Sequence, residues 1–124
     1  MPDQMPPPGP GRDEAIAIAL GGVMVDLPDP IDDGTIRRMR LPGGALATEL
    51  PPYSTDPAAA DRLVEEMVRR EYQLVHRADK RGHGARFMID DPLASDGLAF
   101  FEGRGESTAA AISAAALLAL RGGA

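Results

Sequence analysis

Between residues 60 and 68 the apolar positions fall at Ala60, Leu63, Val64, Met67 and Val68, steps of three and four that gather them on one side of a helix. Asp56 followed by Pro57 supplies an N-cap and a first-turn proline, whose missing N–H would be unpaired there in any case. The pattern predicts a helix over residues 57–71, with Glu65/Arg69 and Glu66/Arg70 supporting its wet face. Downstream the signal changes. Residues 72–77 (YQLVHR), 86–90 (RFMID) and 97–103 (GLAFFEG) read as three short strands separated by Gly- and Asp-containing turns. Such short connections make an antiparallel meander the expected arrangement. Residues 107–121 (STAAAISAAALLALR) then predict a last helix that is apolar almost all round and closes on Arg121, Gly122 and Gly123. A helix without a polar face must be covered on more than one side. It is therefore expected to pack closely on the sheet and also against a second copy of the chain, since a core of roughly seventy residues is marginal alone.

The first part of the chain is less periodic. Ile16, Ile18 and Leu20 alternate as in a strand, whereas the alanine-rich background and the early Asp13 and Glu14 favour a helix start, with Gly21 and Gly22 to end it. Ten of the twelve prolines precede residue 53, so residues 26–52 read mostly as loop with one short strand at 35–40. Residues 1–10 (MPDQMPPPGP) hold too little apolar surface to offset ordering and are expected to be a disordered tail. The expected organisation is a single domain: a tail over 1–10, an N-terminal helix and Pro/Gly-rich loop over 11–52, and a core over 53–124. Its class is α+β, with an antiparallel sheet of three strands, or four, packed between helices.

Composition narrows the function classes. Nineteen acidic against thirteen basic side chains give a net charge of −6 over 124 residues, the wrong sign for a general nucleic-acid or anionic-membrane binder. Only 4% of residues are aromatic, few with which to stack on bases. With no cysteine there is no disulfide framework, thiolate nucleophile or Cys-based zinc site. No apolar run approaches the ~20 residues of a membrane span or follows the plan of a signal peptide, so a cytoplasmic location is expected.

Candidate chemistry is sparse. There is no GxSxG, phosphate-binding Walker loop or HExxH, so no enzyme and no cofactor are expected. His76 and His83 lie seven residues apart across an expected turn, a spacing with no metal-ligand signature. Asp90 and Asp91 before Pro92 read as turn chemistry. One local reversal of charge stands out, the expected hairpin tip RADKRGHGAR. There Arg77, Lys80, Arg81, His83 and Arg86 could receive a phosphate or a partner's carboxylates, against the plainer reading of a solvated turn. Tyr53, Ser54 and Thr55 before one helix, and Ser107 and Thr108 at the start of another, place donors where a helix dipole favours anions, although Asp56 and Glu106 could satisfy those donors themselves.

Three short runs carry a family resemblance. Gly11–Arg12 near the first helix, PPYSTDPAAA at 51–60 and GESTAAAISAAALLAL at 105–120 resemble the small phage-encoded proteins of the phage ABA sandwich domain family. Its closing helix has the form GETAPLAICRAAL, and Gly105, Glu106, Ala111, Ile112, Ala115, Ala116 and Leu117 match it position by position, with Ser107 where Thr is usual. Ala109 stands where that family has Pro, and Ser113 and Ala114 where it has Cys and Arg; whatever that Arg contacts is lost here. The resemblance covers mainly residues 51–120, with a thin match at 11–24 and an apparent insertion at 26–50. It implies a compact α+β domain with a sheet between helical layers, encoded by a phage or prophage and acting in the bacterial host cytoplasm, with no established activity. The resulting expectation is a non-enzymatic phage accessory protein that blunts a host defence by binding, sequestering a small nucleotide signal, a phosphorylated ligand, in a pocket between the protomers of a homo-oligomer. An acidic inhibitor or adaptor docking on a host or phage protein, and a small structural phage component, are the alternatives.

Overall fold

The computed structural model describes residues 5–40 and 48–122. The ambiguous first segment is a helix, α1 (Pro10–Ala19), because helical spacing turns Ile16 and Leu20 inward while Ile18 stays 53% exposed. It ends on Gly21, whose φ of 98° suits a residue without a Cβ; the Gly21 N–H donates to the Ile18 carbonyl and the Gly22 N–H to the Ala17 carbonyl. Residues 5–10, expected to be part of a tail, make defined contacts. Met5 packs on the core and the Pro6 carbonyl accepts a hydrogen bond from Arg12. Residues 1–4 lie outside the described residues.

The loop expected over 26–52 contains more regular structure than its prolines suggested. Strands β1 (Val23–Pro28) and β2 (Thr35–Arg40) form an antiparallel ribbon with Val23 opposite Arg40 and Pro28 opposite Thr35. Pro28, at the end of β1, needs no N–H beyond the ladder. Met39 is buried, and residues 41–47 lie outside the described residues.

Helix α2 (Pro57–Arg69) begins as expected: the Asp56 carboxylate accepts from the Ala58 N–H, and Ala59, Ala60, Leu63 and Met67 are buried. Strands β3 (Gln73–Asp79), β4 (Gly82–Asp90) and β5 (Leu98–Gly105) form the expected antiparallel three-stranded sheet, in that order. They run further than their apolar cores indicated. The β3–β4 connection is only Lys80 and Arg81, with Gly82 at φ 118° and the Asp79 carboxylate accepting from the Arg81 N–H. Arg77, His83 and Arg86, expected at a hairpin tip, therefore sit within strands.

Helix α3 (Thr108–Gly122) lies against β4 and β5, with α1 and α2 packed on its other sides. Its approach to β5 is close because Gly103 and Gly105 face it. A Cβ on Gly103 would stand 2.7 Å from the Ala111 carbonyl oxygen and collide with the Ala115 amide nitrogen. Residues 109–117 and Ala119 are buried, and Leu118 is 38% exposed. One chain thus covers the helix for which a second copy was expected. Phe87, Ala85 and half-buried Leu74, Ile89 and Phe101 line the helix-facing side of the sheet, while Val75, Arg77, Arg86, Phe100, Glu102 and Arg104 are exposed on the other.

Candidate functional site

Two adjacent side chains of α1, Arg12 and Asp13, are both at least 94% buried. The Asp13 carboxylate accepts from the Ser54 N–H at 2.8 Å and from the Ser54 hydroxyl at 2.7 Å, and the Ser54 oxygen in turn accepts the Gly9 N–H. Arg12 reaches the other way. Its Nε donates to the Pro6 carbonyl, and its Nη1 to the Ala110 carbonyl and the Ser113 hydroxyl at 2.9 and 3.2 Å. Nη2 takes part in none of these bonds. Burial lowers the Arg12 pKa, partly offset by the charge of Asp13, and among the described residues no carboxylate lies within 4.0 Å of its guanidinium. The three sequence runs Gly11–Arg12, YSTD and the alanine-rich closing helix thus meet at one junction.

Beside that junction opens a cleft of about 690 Å³, lined by Arg12, Ser54, Thr55, Arg104, Glu106 and Ser107 among others. Both α2 and α3 begin at it. Of the ten residues expected to receive an anion, Ser54, Thr55 and Ser107 line this cleft. Thr55 is exposed on its wall, whereas the Ser54 side chain is turned inward to Asp13. Ser107 caps α3, its hydroxyl accepting the Ala110 N–H at 3.1 Å. Thr108 lies beside His83, with 3.3 Å between its hydroxyl and the His83 Nδ1. Tyr53 is buried and lines a different cleft with Leu20, Met39 and Leu63; burial raises its hydroxyl pKa, Asp13 and Glu66 add to the rise, and Arg62 opposes it.

The basic hairpin does not join this site as a group. Arg77 and Arg86 project from the outer face of the sheet, where Arg86 pairs with Glu102 at 3.5 Å and lies over the Phe100 ring. Arg104 pairs there with Asp79 at 3.6 Å. Lys80 and Arg81 are exposed at the turn. His83 alone reaches the start of α3. Asp90, Glu102 and His76 lie apart: Asp90 lines a separate cleft with Gln73 and Met88, Glu102 is on the outer face, and His76 faces His83.

Arg12 and Asp13 were missed as site residues. Beyond the Gly11–Arg12 match, their sequence signal is a pair of charges three and four residues, about one turn, ahead of buried Ile16, which reads as an ordinary helix start. Among the described residues no three His, Asp or Glu side chains gather to hold a metal ion, and no helix is long and apolar enough to cross a membrane. What the arrangement can do is offer a buried cation and two helix N-termini to an anion from one open side. The chain matches no family model, no curated protein and no solved structure.

Proposed function

We propose that the protein is a non-catalytic binder of a small phosphorylated ligand, taken in the cleft where α2 and α3 begin, and that it serves a phage by sequestering such a ligand from a host defence. The observation that carries the binding is Arg12, a buried guanidinium lining an open cleft with no carboxylate within reach among the described residues. Removing a cation from water without a carboxylate in direct contact is costly, and the charge of Asp13 offsets only part of that cost. A phosphate in the cleft would supply a contacting charge through hydrogen bonds stronger than those to carbonyl and hydroxyl oxygens. The first turns of two helices add a favourable field for the same anion. The phage context rests on the resemblance of residues 11–12, 51–60 and 105–120.

Calorimetry with ADP-ribose, a cyclic dinucleotide and pyrophosphate, each at low and high salt, tests the reading. Saturable binding of at least one is expected, weaker in high salt. Thr55→Asp puts a like charge on the cleft wall and is expected to weaken binding about tenfold, roughly 1.4 kcal/mol. Glu106→Gln removes a like charge and should tighten it, a direction that general damage to the fold would not produce. No binding of any of the three, or binding indifferent to both substitutions, would rule out this cleft.

A further inference from the structure

We propose that His76 and His83 form a chelating site for a borderline divalent metal ion of the zinc, copper and nickel class. The pairing of β3 with β4 sets Ala85 opposite His76 and Ala78 opposite His83, so the two histidines are diagonal neighbours on one face of a ladder whose β4 strand is paired on both sides. The His76 Nε2 and His83 Nδ1 are 3.3 Å apart, with ring planes 12° apart and centroids separated by 5.4 Å. That centroid separation is nearly the nitrogen distance plus two ring radii, so the nitrogens meet edge to edge and the rings are not stacked face to face.

The spacing fits a shared ion. Two imidazoles on a tetrahedral zinc, with bonds of about 2.0–2.1 Å, hold their nitrogens roughly 3.3 Å apart. Turning each ring so that its lone pair leaves the nitrogen–nitrogen line by about 35° brings both lone pairs onto one ion. Neutral imidazole selects zinc, copper and nickel over magnesium and calcium, which prefer oxygen donors. His76 is exposed and His83 half-buried, so an ion can enter from solvent. The Thr108 hydroxyl, 3.3 Å from the His83 nitrogen, is within reach of a water on the ion. No third His, Asp or Glu joins the pair among the described residues, so the remaining positions stay open to water or an added ligand.

Because these are the chain's two histidines, the test is clean. Zinc chloride is titrated into the full chain in a buffer without chelators, followed by the imidazole 1H–15N signals, with magnesium as the control. Both rings are expected to shift together and saturate at one ion per chain, with magnesium without effect. His76→Asn and His83→Asn should each weaken binding at least tenfold, while unchanged amide spectra elsewhere confirm that the variants fold. Rings that shift independently, a response that does not saturate, or affinity unchanged when one histidine is removed would overturn the proposal.

Discussion

Arg12 and Asp13 are neighbours in the chain, carry opposite charges and are both buried, yet each is satisfied by a different element. Asp13 holds Ser54 at the entrance to α2, and Arg12 holds Ala110 and Ser113 in α3. Two charged side chains thus fix where three helices meet, and the cleft is a consequence of that fixing. The same carboxylate acts on Tyr53, next to Ser54: burial foremost, and then Asp13 and Glu66, raise the tyrosine pKa above its ordinary value near 10. The sign for stability follows. Below about pH 10 both folded and unfolded chains keep the proton and Tyr53 contributes no pH dependence. Above it the unfolded chain releases the proton first, so stability falls as pH rises toward the folded pKa, by at most about 1.4 kcal/mol per pH unit. Tyr53→Phe removes that loss. Urea unfolding of both proteins at several pH values between about 9 and 11 should show the difference in stability moving in favour of the variant as pH rises. A difference that stays constant with pH would mean that the tyrosine keeps its ordinary pKa in the fold.

Elements were legible in proportion to how local their causes are. The stripe of α2, the Asp56 cap and the apolar run of α3 are written in spacings of three and four, and each became a helix near its expected bounds. Strand β2 stands at its expected bounds, whereas β1 was missed because Val23–Pro28 carries neither clean alternation nor a buried face and is made a strand by its pairing with β2. The two helix ends are instructive together. Helix α1 stops on Gly21, whereas α2 stops through the same pair of hydrogen bonds with Glu71 at φ 73°, a conformation that costs a residue with a Cβ about 1–2 kcal/mol. The closeness of α3 to β5 depends on a glycine that looked like strand punctuation. Gly103→Ala is expected to cost about 2–3 kcal/mol, because the new methyl meets the backbone of α3 and not a movable side chain end. Gly11→Ala is the matched control: its Cβ would meet only the Pro6 Cβ at 3.9 Å, inside α1, so the change should be neutral or stabilising by up to about 1 kcal/mol. Equal effects of the two on the chemical-denaturation midpoint would show that the helix and strand are not in the contact described.

At the scale of the molecule, the cleft gathers only some of the residues singled out from the sequence, and not all of those in the role expected. Thr55 and Ser107 do stand at the convergence of two helix N-termini, but Ser54 is a staple, Tyr53 belongs elsewhere, and Arg77 and Arg86 face away across the sheet. Position along a chain does not reveal which face of a strand a residue occupies until the register is known, and a shift of one residue exchanges the faces. The histidine pair was invisible for the same reason: seven residues apart says nothing until a two-residue turn brings β3 and β4 together. The expectation of a second copy had a different origin. It followed from an apolar helix needing cover on several sides, and the need is real, but β4, β5, α1 and α2 of one chain meet it, leaving Leu118 as the one exposed residue between Ala109 and Ala119. If the core is complete within one chain, folding is unimolecular and mass action has no hold on it. The thermal midpoint is then expected to stay fixed over a hundredfold range of protein concentration. A midpoint that climbs by several degrees across that range would mean that a second copy completes the core, and the covering of α3 by its own chain would have to be abandoned as the reason the fold stands.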